Sequence, residues 1–204
     1  MLKLFRQSSC KKRKGVYNES ENDSEGGRKV KEFRELSPED KVLEPIRMIG
    51  KEWMLIGAKK PTGEMNAMTA SWGGIGVLFH KPVVFCFVRP QRYTDEFLQA
   101  SGYATCSFLP ENYRPALTVM GRTSGRERDK FKKAGLTPIP LEESMTVEEA
   151  KTVLYLKKLY TDRLCRKGFE EEKLYKEIYP QDDLHHVYIY EILKVYEGGE
   201  EKLV

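Results

Sequence analysis

A cationic stretch from Arg89 to Thr94 is the clearest candidate for anion binding in this sequence. It follows an apolar run over residues 83–88 that is typical of a strand, and Thr94 is a predicted N-cap for a helix over residues 95–101. A helix start offers free N–H groups and a positive dipole end, and arginines such as Arg89 and Arg92 bind phosphate through paired hydrogen bonds. The stretch predicts a phosphate-monoester site. A solvated surface loop would carry the same residues, and the residues alone leave both interpretations open.

Small and polar residues replace large apolar ones in a second stretch, Asn66-Ala67-Met68-Thr69-Ala70-Ser71-Trp72-Gly73-Gly74. Small side chains at a strand end let a flat ligand approach the backbone closely, and the free amide and carbonyl groups can bind the edge of a heterocycle. An ordinary strand-end turn is the plainer interpretation, and composition by itself favours it.

A third stretch, residues 121–130, combines glycine, hydroxyl and cationic side chains. Ser124 and Glu127 have capping-box spacing, which predicts a helix from Ser124 to about Ala134, closed by Gly135. Its cations, Lys130 among them, suit either a ligand contact or a capped surface helix, and both remain open.

Catalytic side chains and metal ligands are not predicted. The sequence contains no G-x-S-x-G, H-E-x-x-H or phosphate-binding P-loop motif. A three-histidine metal site would need His80, His185 and His186 together, but adjacent residues on a strand point to opposite faces. The four cysteines are widely spaced without a C-x-x-C pair, which predicts reduced thiols in a cytoplasmic protein.

The elements that would position these stretches are mainly short strands. Apolar runs over residues 53–58, 65–71, 75–79, 83–88 and 103–108 are bounded by Gly, Pro or Asn. No helical crossover separates the first of them, which predicts an antiparallel sheet closing into a barrel rather than a parallel doubly wound sheet.

Other elements complete the prediction. Ser37 and Pro38 predict a helix start, with Pro45 limiting that helix to about two turns. Residues 170–178 read as a helix and 187–196 as the last strand. Residues 148–164 fit a helix or a buried strand equally well.

Length and charge restrict the class of protein. The chain has 204 residues, and we expect a disordered basic and acidic extension over 1–30 followed by one domain over 31–204. Residues 1–34 hold ten basic and five acidic side chains, so the rest of the chain has a net charge of −1. A nucleic-acid-binding module would therefore rest on the extension alone. No apolar run approaches the length of a membrane span, and no signal peptide is evident.

These stretches, taken in order, resemble the flavin reductase-like, flavoredoxin-type family of FMN-binding split-barrel proteins. The resemblance covers roughly residues 31–197, and it is carried by residues 66–78, by His80-Lys81-Pro82-Val83, by residues 88–94, and by Ser124-Gly125-Arg126 with Asp129-Lys130. It implies a mainly β fold with flanking helices: an antiparallel, Greek-key split β-barrel that binds FMN, usually as a homodimer with the flavin near the interface. It also implies that residues 150–161 form a strand.

The resemblance assigns cofactor-binding residues by position. The isoalloxazine edge would be lined by the strand end that holds Asn66, Thr69, Ala70, Ser71 and Trp72. The ribityl phosphate would be held by Arg89, Arg92, Tyr93 and Thr94, with Ser124, Gly125 and Lys130 in the same pocket. His185 matches a histidine that often precedes the last strand. The extension is not part of the family pattern, and the segment from Pro140 to Met145 is shorter than usual.

The activity implied by the resemblance is electron transfer through bound FMN, with NADH or NADPH as the donor and an acceptor that could be a protein. The alternative is a flavoredoxin-type electron carrier, or a flavin-binding module without its own NAD(P)H turnover. No general acid or base is required in either case, because the flavin carries the redox chemistry.

Overall fold

An antiparallel β-sheet forms the body of the molecule in the computed structural model, which describes residues 33–38 and 43–198. The strands of this sheet are β1 (Phe33–Leu36), β2 (Met54–Lys59), β3 (Met65–Ala70), β4 (Gly73–Leu78), β5 (Lys81–Val88), β6 (Tyr103–Phe108), β9 (Thr152–Arg163) and β10 (His186–Gly198). A separate hairpin consists of β7 (Pro138–Leu141) and β8 (Ser144–Val147). Every pairing is antiparallel, which confirms the predicted sheet.

The strand order places the small-residue stretch, residues 66–74, between the two edges of the sheet. The sheet runs β3-β2-β6-β9-β10-β5-β4, with β1 paired to β10. Strands β3 and β4 are consecutive in the chain but lie at opposite ends of this order. The link Ser71-Trp72 therefore passes directly from one sheet edge to the other, so the small-residue stretch lies where the sheet splits.

Helical segments flank the sheet. They are a π-helical segment (Ile46–Glu52), α1 (Tyr93–Ala100), α2 (Arg114–Arg122), α3 (Lys130–Ala134) and α4 (Glu172–Ile178). Helix α4 agrees with the prediction, and Gly135, with a φ of 66°, ends α3 as predicted. Helix α2 was not predicted. The helix predicted from Ser37 falls largely on residues 39–42, outside the described residues, and Pro45 precedes a helical segment instead of ending one.

The ambiguous segment 148–164 contains strand β9, which pairs with both β6 and β10. The first five residues of β9 are all buried, because both faces of this central strand are covered. A strand buried on both faces lacks the period-2 alternation that identifies a half-exposed strand, which explains why the pattern also fitted a helix.

Two apolar clusters pack on the opposite faces of the sheet. Along β2, Met54 and Ile56 belong to the cluster that includes Tyr188 and Tyr190, whereas Leu55 belongs to the cluster beneath α2 and the β7–β8 hairpin. This alternation follows from the period of two along a strand. Cys86 and Cys106 lie in the first cluster, and none of the three described cysteines forms a disulfide.

Two further findings concern the described residues. No helix among them is long and apolar enough to cross a membrane. Within residues 33–38 and 43–198, no group of three or more His, Cys, Asp or Glu side chains is arranged to hold a metal ion.

Candidate cofactor site

The first turn of α1 is fastened to β3 by a buried hydrogen bond. The Asn66 Nδ2 donates to the Thr94 Oγ1 at 3.0 Å, and both side chains are buried. The prediction that Thr94 caps the helix is wrong: Arg92 occupies the N-cap position, and no side chain caps the helix start. Thr94 lies inside the first turn, and its hydroxyl accepts a hydrogen bond from a residue 28 positions earlier in the chain.

The loop before α3 also differs from the prediction. Helix α3 begins at Lys130, and Asp129 caps it by accepting the Lys132 N–H at 3.1 Å. Ser124 instead accepts the Arg126 N–H at 3.3 Å, which forms a turn within the loop. The helix start predicted at Ser124 from the capping-box spacing is therefore wrong, because the residues from Ser124 to Asp129 form a loop.

This loop packs against the start of α1 at Gly125. A Cβ atom at this position would lie 2.8 Å from the Asn66 Oδ1, 3.2 Å from the Tyr93 ring and 3.4 Å from the Lys130 Cε. The structure thus brings four predicted site residues together around a position that accepts only glycine without rearrangement. The Arg126 guanidinium covers the Tyr93 ring at 4.8 Å from its centroid.

Two cations at this corner have no carboxylate partner in the part of the chain that the structure describes. Lys130 is only 3% exposed, and Arg92 is half-buried. Neither side chain forms a hydrogen bond or an ion pair with any other part of the chain that the structure describes. Burial, together with the charge of Arg92, lowers the pKa of Lys130 from 10.5 to about 8. Burial also lowers the pKa of Arg92. Buried charges are normally paired, so the corner is suited to an anion that is not part of the chain.

Arg89, the other predicted phosphate ligand, has different partners. Its guanidinium pairs with Asp183, donates to the Ile178 carbonyl at 2.9 Å, and lies 5.2 Å from the centre of the Tyr179 ring. These contacts attach the end of β5 to the segment after α4. The role of Arg89 in phosphate binding stays a prediction, and its charge is already matched by Asp183.

The strand end predicted to contact a ring system is packed beneath α2. The Thr69 Oγ1 donates to the Leu117 carbonyl at 2.6 Å, and a Cβ on Gly121 would lie 3.4 Å from the Thr69 Cβ. Ala70 is buried and Ser71 is partly exposed. Helix α2 therefore covers the end of the edge strand β3. The sequence did not predict α2, so it could not predict this contact either.

The exposed Trp72 ring contacts His185. The two ring centroids are 5.2 Å apart, and the His185 Nδ1 shares a hydrogen bond of 2.7 Å with the Tyr179 hydroxyl. Burial, reinforced by the charge of Arg89, lowers the pKa of His185 to about 4, so its imidazole is neutral at pH 7. Sequence reasoning missed Tyr179, because no local pattern shows that this tyrosine contacts a histidine six residues later.

The chain matches one family model. The flavin reductase like domain matches residues 46–203, which is most of the chain. The chain therefore belongs to the flavin reductase-like domain family, as the order of its motifs indicated. A search of curated proteins finds no match.

Solved structures agree with this assignment. Flavoredoxin of Desulfovibrio vulgaris (Miyazaki F) is 25% identical with a TM-score of 0.56, over 72% of this chain and 69% of that one. A split-barrel protein of Shewanella frigidimarina NCIMB 400 is 18% identical with a TM-score of 0.58, over 81% and 76% of the two chains. The FMN-binding protein of Thermus thermophilus is 20% identical with a TM-score of 0.54, over 71% and 70%. The fold is an antiparallel split β-barrel, as predicted.

Proposed function

We propose that this chain is an FMN-binding flavoprotein whose phosphate site is the corner formed by Arg92 and Lys130. The observation that carries the proposal is a lysine that is 3% exposed and has no partner among the described residues, beside the half-buried Arg92, which also has none among them. A phosphate monoester supplies up to two negative charges and several acceptor oxygens, so it would relieve the burial cost of both cations. The Thr94 hydroxyl and the N–H groups at the start of α1 offer further donors.

The strand end from Thr69 to Trp72 suits the opposite end of the same ligand. Its side chains are small up to Ser71, and the Trp72 ring is 47% exposed beside the neutral His185. Backbone N–H groups here would hydrogen-bond the edge of the ring system and stabilise negative charge on it, as donors in an oxyanion hole do. FMN, when bound, supplies the redox chemistry that none of these side chains provides.

The proposed activity is an oxidoreductase that uses NADH or NADPH as electron donor and passes electrons to an acceptor. A second candidate is an electron carrier without NAD(P)H turnover, which the likeness to a flavoredoxin at 25% identity favours. Anaerobic mixing of the FMN-loaded protein with NADH or NADPH separates the two. Loss of the flavin absorbance within seconds supports the reductase, whereas an unchanged spectrum together with reduction by a chemical reductant supports the carrier.

The phosphate assignment is tested by comparing FMN with riboflavin, which lacks the phosphate. Arg92→Ala should weaken FMN binding by about 2 kcal/mol, the scale of a hydrogen bond to a charged group, and leave riboflavin binding nearly unchanged. Arg122→Ala, at an exposed arginine in the last turn of α2, is the matched control and should affect neither ligand. Equal losses for both ligands in Arg92→Ala would remove Arg92 from the phosphate role.

We also propose that the chain forms a homodimer. Ile46, Trp72, Val77 and Phe79 are large apolar side chains that remain exposed, and β4, which contains Val77, is an edge strand. Unpaired strand edges and exposed apolar groups favour association with a second protein surface. Light scattering should give twice the chain mass, and Val77→Glu with Phe79→Glu should give the mass of a single chain.

A further inference from the structure

A cavity with a volume of about 460 Å³ lies where the end of β9, the start of β10 and helix α1 meet. This volume is in the range of sites that hold small molecules. The side chains that form its walls are those of Gln99, Lys158, Thr161, Asp162, Arg163, His186 and Tyr188. None of these residues belongs to the proposed FMN site, so FMN binding does not account for the cavity.

A buried carboxylate fixes the orientation of His186 at this cavity. Asp95 is 2% exposed and accepts three hydrogen bonds: from the Tyr188 hydroxyl at 2.7 Å, from the Gln99 amide at 2.7 Å, and from the His186 Nδ1 at 3.0 Å. Because Nδ1 faces the carboxylate, the other ring nitrogen of His186, Nε2, is left for a partner outside this group. The protonated ring would donate a hydrogen bond from that atom.

Two cations at the cavity have donor capacity to spare. Within the described residues, the Lys158 Nζ donates one hydrogen bond, to the Gln99 carbonyl at 3.3 Å, and lies 5.8 Å from the centre of the Tyr188 ring. The Arg163 guanidinium likewise donates one, to the Asp182 carbonyl at 3.2 Å. Neither has a carboxylate within ion-pair distance in the described part of the chain. Burial lowers the pKa of Lys158, although the negative charge of Asp95 opposes this effect. Both cations therefore retain N–H groups for a further acceptor.

The one acid in the wall, Asp162, is already engaged. Its carboxylate accepts the Tyr160 hydroxyl and the Arg163 backbone N–H, and these hydrogen bonds lower its pKa. The negative charges of Asp95 and Asp162 balance the positive charges of Lys158 and Arg163. The net charge around the cavity is therefore zero when His186 is neutral and positive when His186 is protonated. The cavity's unused groups are an ammonium, a guanidinium and the Thr161 hydroxyl, all of which donate, and the His186 Nε2, which donates when the ring is protonated.

We propose that this cavity is a second anion site, which binds the phosphate group of a small phosphorylated molecule through Lys158, Arg163 and His186. The donors come from two adjacent strands, and the buried Asp95 holds the histidine in place. The site is distinct from the FMN corner, because Asp95 bonds His186 in the wall of this cavity while Thr94, its neighbour in the chain, bonds Asn66.

The proposal is tested by titrating the protein with inorganic phosphate at pH 7 and constant ionic strength. NMR follows the ring C–H signals of the three histidines during the titration. The His186 signal should shift with saturation at millimolar phosphate, while His80 and His185 serve as references in the same spectrum. Lys158→Gln and Arg163→Gln should each weaken this binding about fivefold or more, equivalent to roughly 1 kcal/mol.

Two controls make the result specific. Lys157→Gln changes the exposed neighbour of Lys158 on the same strand and should leave the binding unchanged. Lys130→Gln removes a cation of the proposed FMN corner and should also leave the His186 response unchanged, so failure of one site is distinguishable from failure of the other. A shift without saturation, an equal shift at His80, or an unchanged affinity in Lys158→Gln would indicate an adventitious ion only and overturn the proposal.

Discussion

Replacing Lys130 with methionine should stabilise the ligand-free protein and weaken FMN binding at the same time. Methionine keeps most of the side-chain length and removes the buried charge. The pKa of Lys130 falls from 10.5 to about 8 on folding, which corresponds to about 3 kcal/mol of unfavourable free energy at pH 7, since each pKa unit is about 1.4 kcal/mol. Lys130→Met should therefore raise the free energy of unfolding by up to about 3 kcal/mol at pH 7.

The sign of the pH dependence follows from proton binding. Between pH 8 and 10.5 the unfolded chain holds the Lys130 proton more tightly than the folded chain, so this group makes wild-type stability rise with pH in that window. The advantage of Lys130→Met should be fully present below pH 8, shrink between pH 8 and 10.5, and vanish above that range.

The same substitution removes a cation from the proposed phosphate site. FMN affinity should fall by about 2 kcal/mol, while riboflavin affinity should stay within the error of the measurement. A residue that lowers stability and raises affinity for one ligand is a functional residue rather than a structural one.

Urea denaturation of the ligand-free protein at pH 7 and at pH 10, with titrations of FMN and riboflavin, measures these effects. Lys132→Met, in the same short helix but exposed, is the matched control and should change neither stability nor affinity appreciably. A lower stability of Lys130→Met at pH 7 would mean that Lys130 has a partner that compensates its charge. An equal loss of both flavins would mean that it does not contact the phosphate.

Three further predictions concern the same corner. Wild-type FMN affinity, measured by fluorescence quenching, should decrease as the pH rises above about 8, because Lys130 loses its proton in the free protein and FMN binding must restore it. Thr94→Val should lower the free energy of unfolding by about 1 kcal/mol through loss of the Asn66 hydrogen bond, and should weaken FMN binding less than Arg92→Ala does, by calorimetry. Gly125→Ala places a Cβ 2.8 Å from the Asn66 Oδ1, so it should lower both the melting temperature in thermal denaturation and the affinity in FMN titration. Gly102→Ala, at an exposed position where a Cβ meets no atom within 4 Å, is the control and should lower both less.

The strands were largely predictable because each one is marked by a pattern of neighbouring residues. Short β-branched or aromatic runs bounded by Gly, Pro or Asn marked β2, β3, β5, β6 and β10 with boundaries close to those observed. The helix starts were less predictable, because a cap depends on which partner the side chain meets. Thr94 has a cap-forming residue type, yet its hydroxyl accepts a hydrogen bond from Asn66 of strand β3 instead of capping α1. Ser124 has the right spacing, yet Asp129 caps the helix.

The sequence by itself determined the sheet, the family and the three stretches that could contact a ligand, since residue type and order carry that information. Only the tertiary structure decided which cations are available to bind an anion. Arg89 is paired with Asp183, which lies 94 residues further along the chain, whereas Lys130 is buried beside Arg92 with no acidic partner among residues 33–38 and 43–198. Pairing and burial arise from contacts between distant segments, so no local pattern distinguishes an arginine that holds two elements together from a lysine that is free to bind an anion.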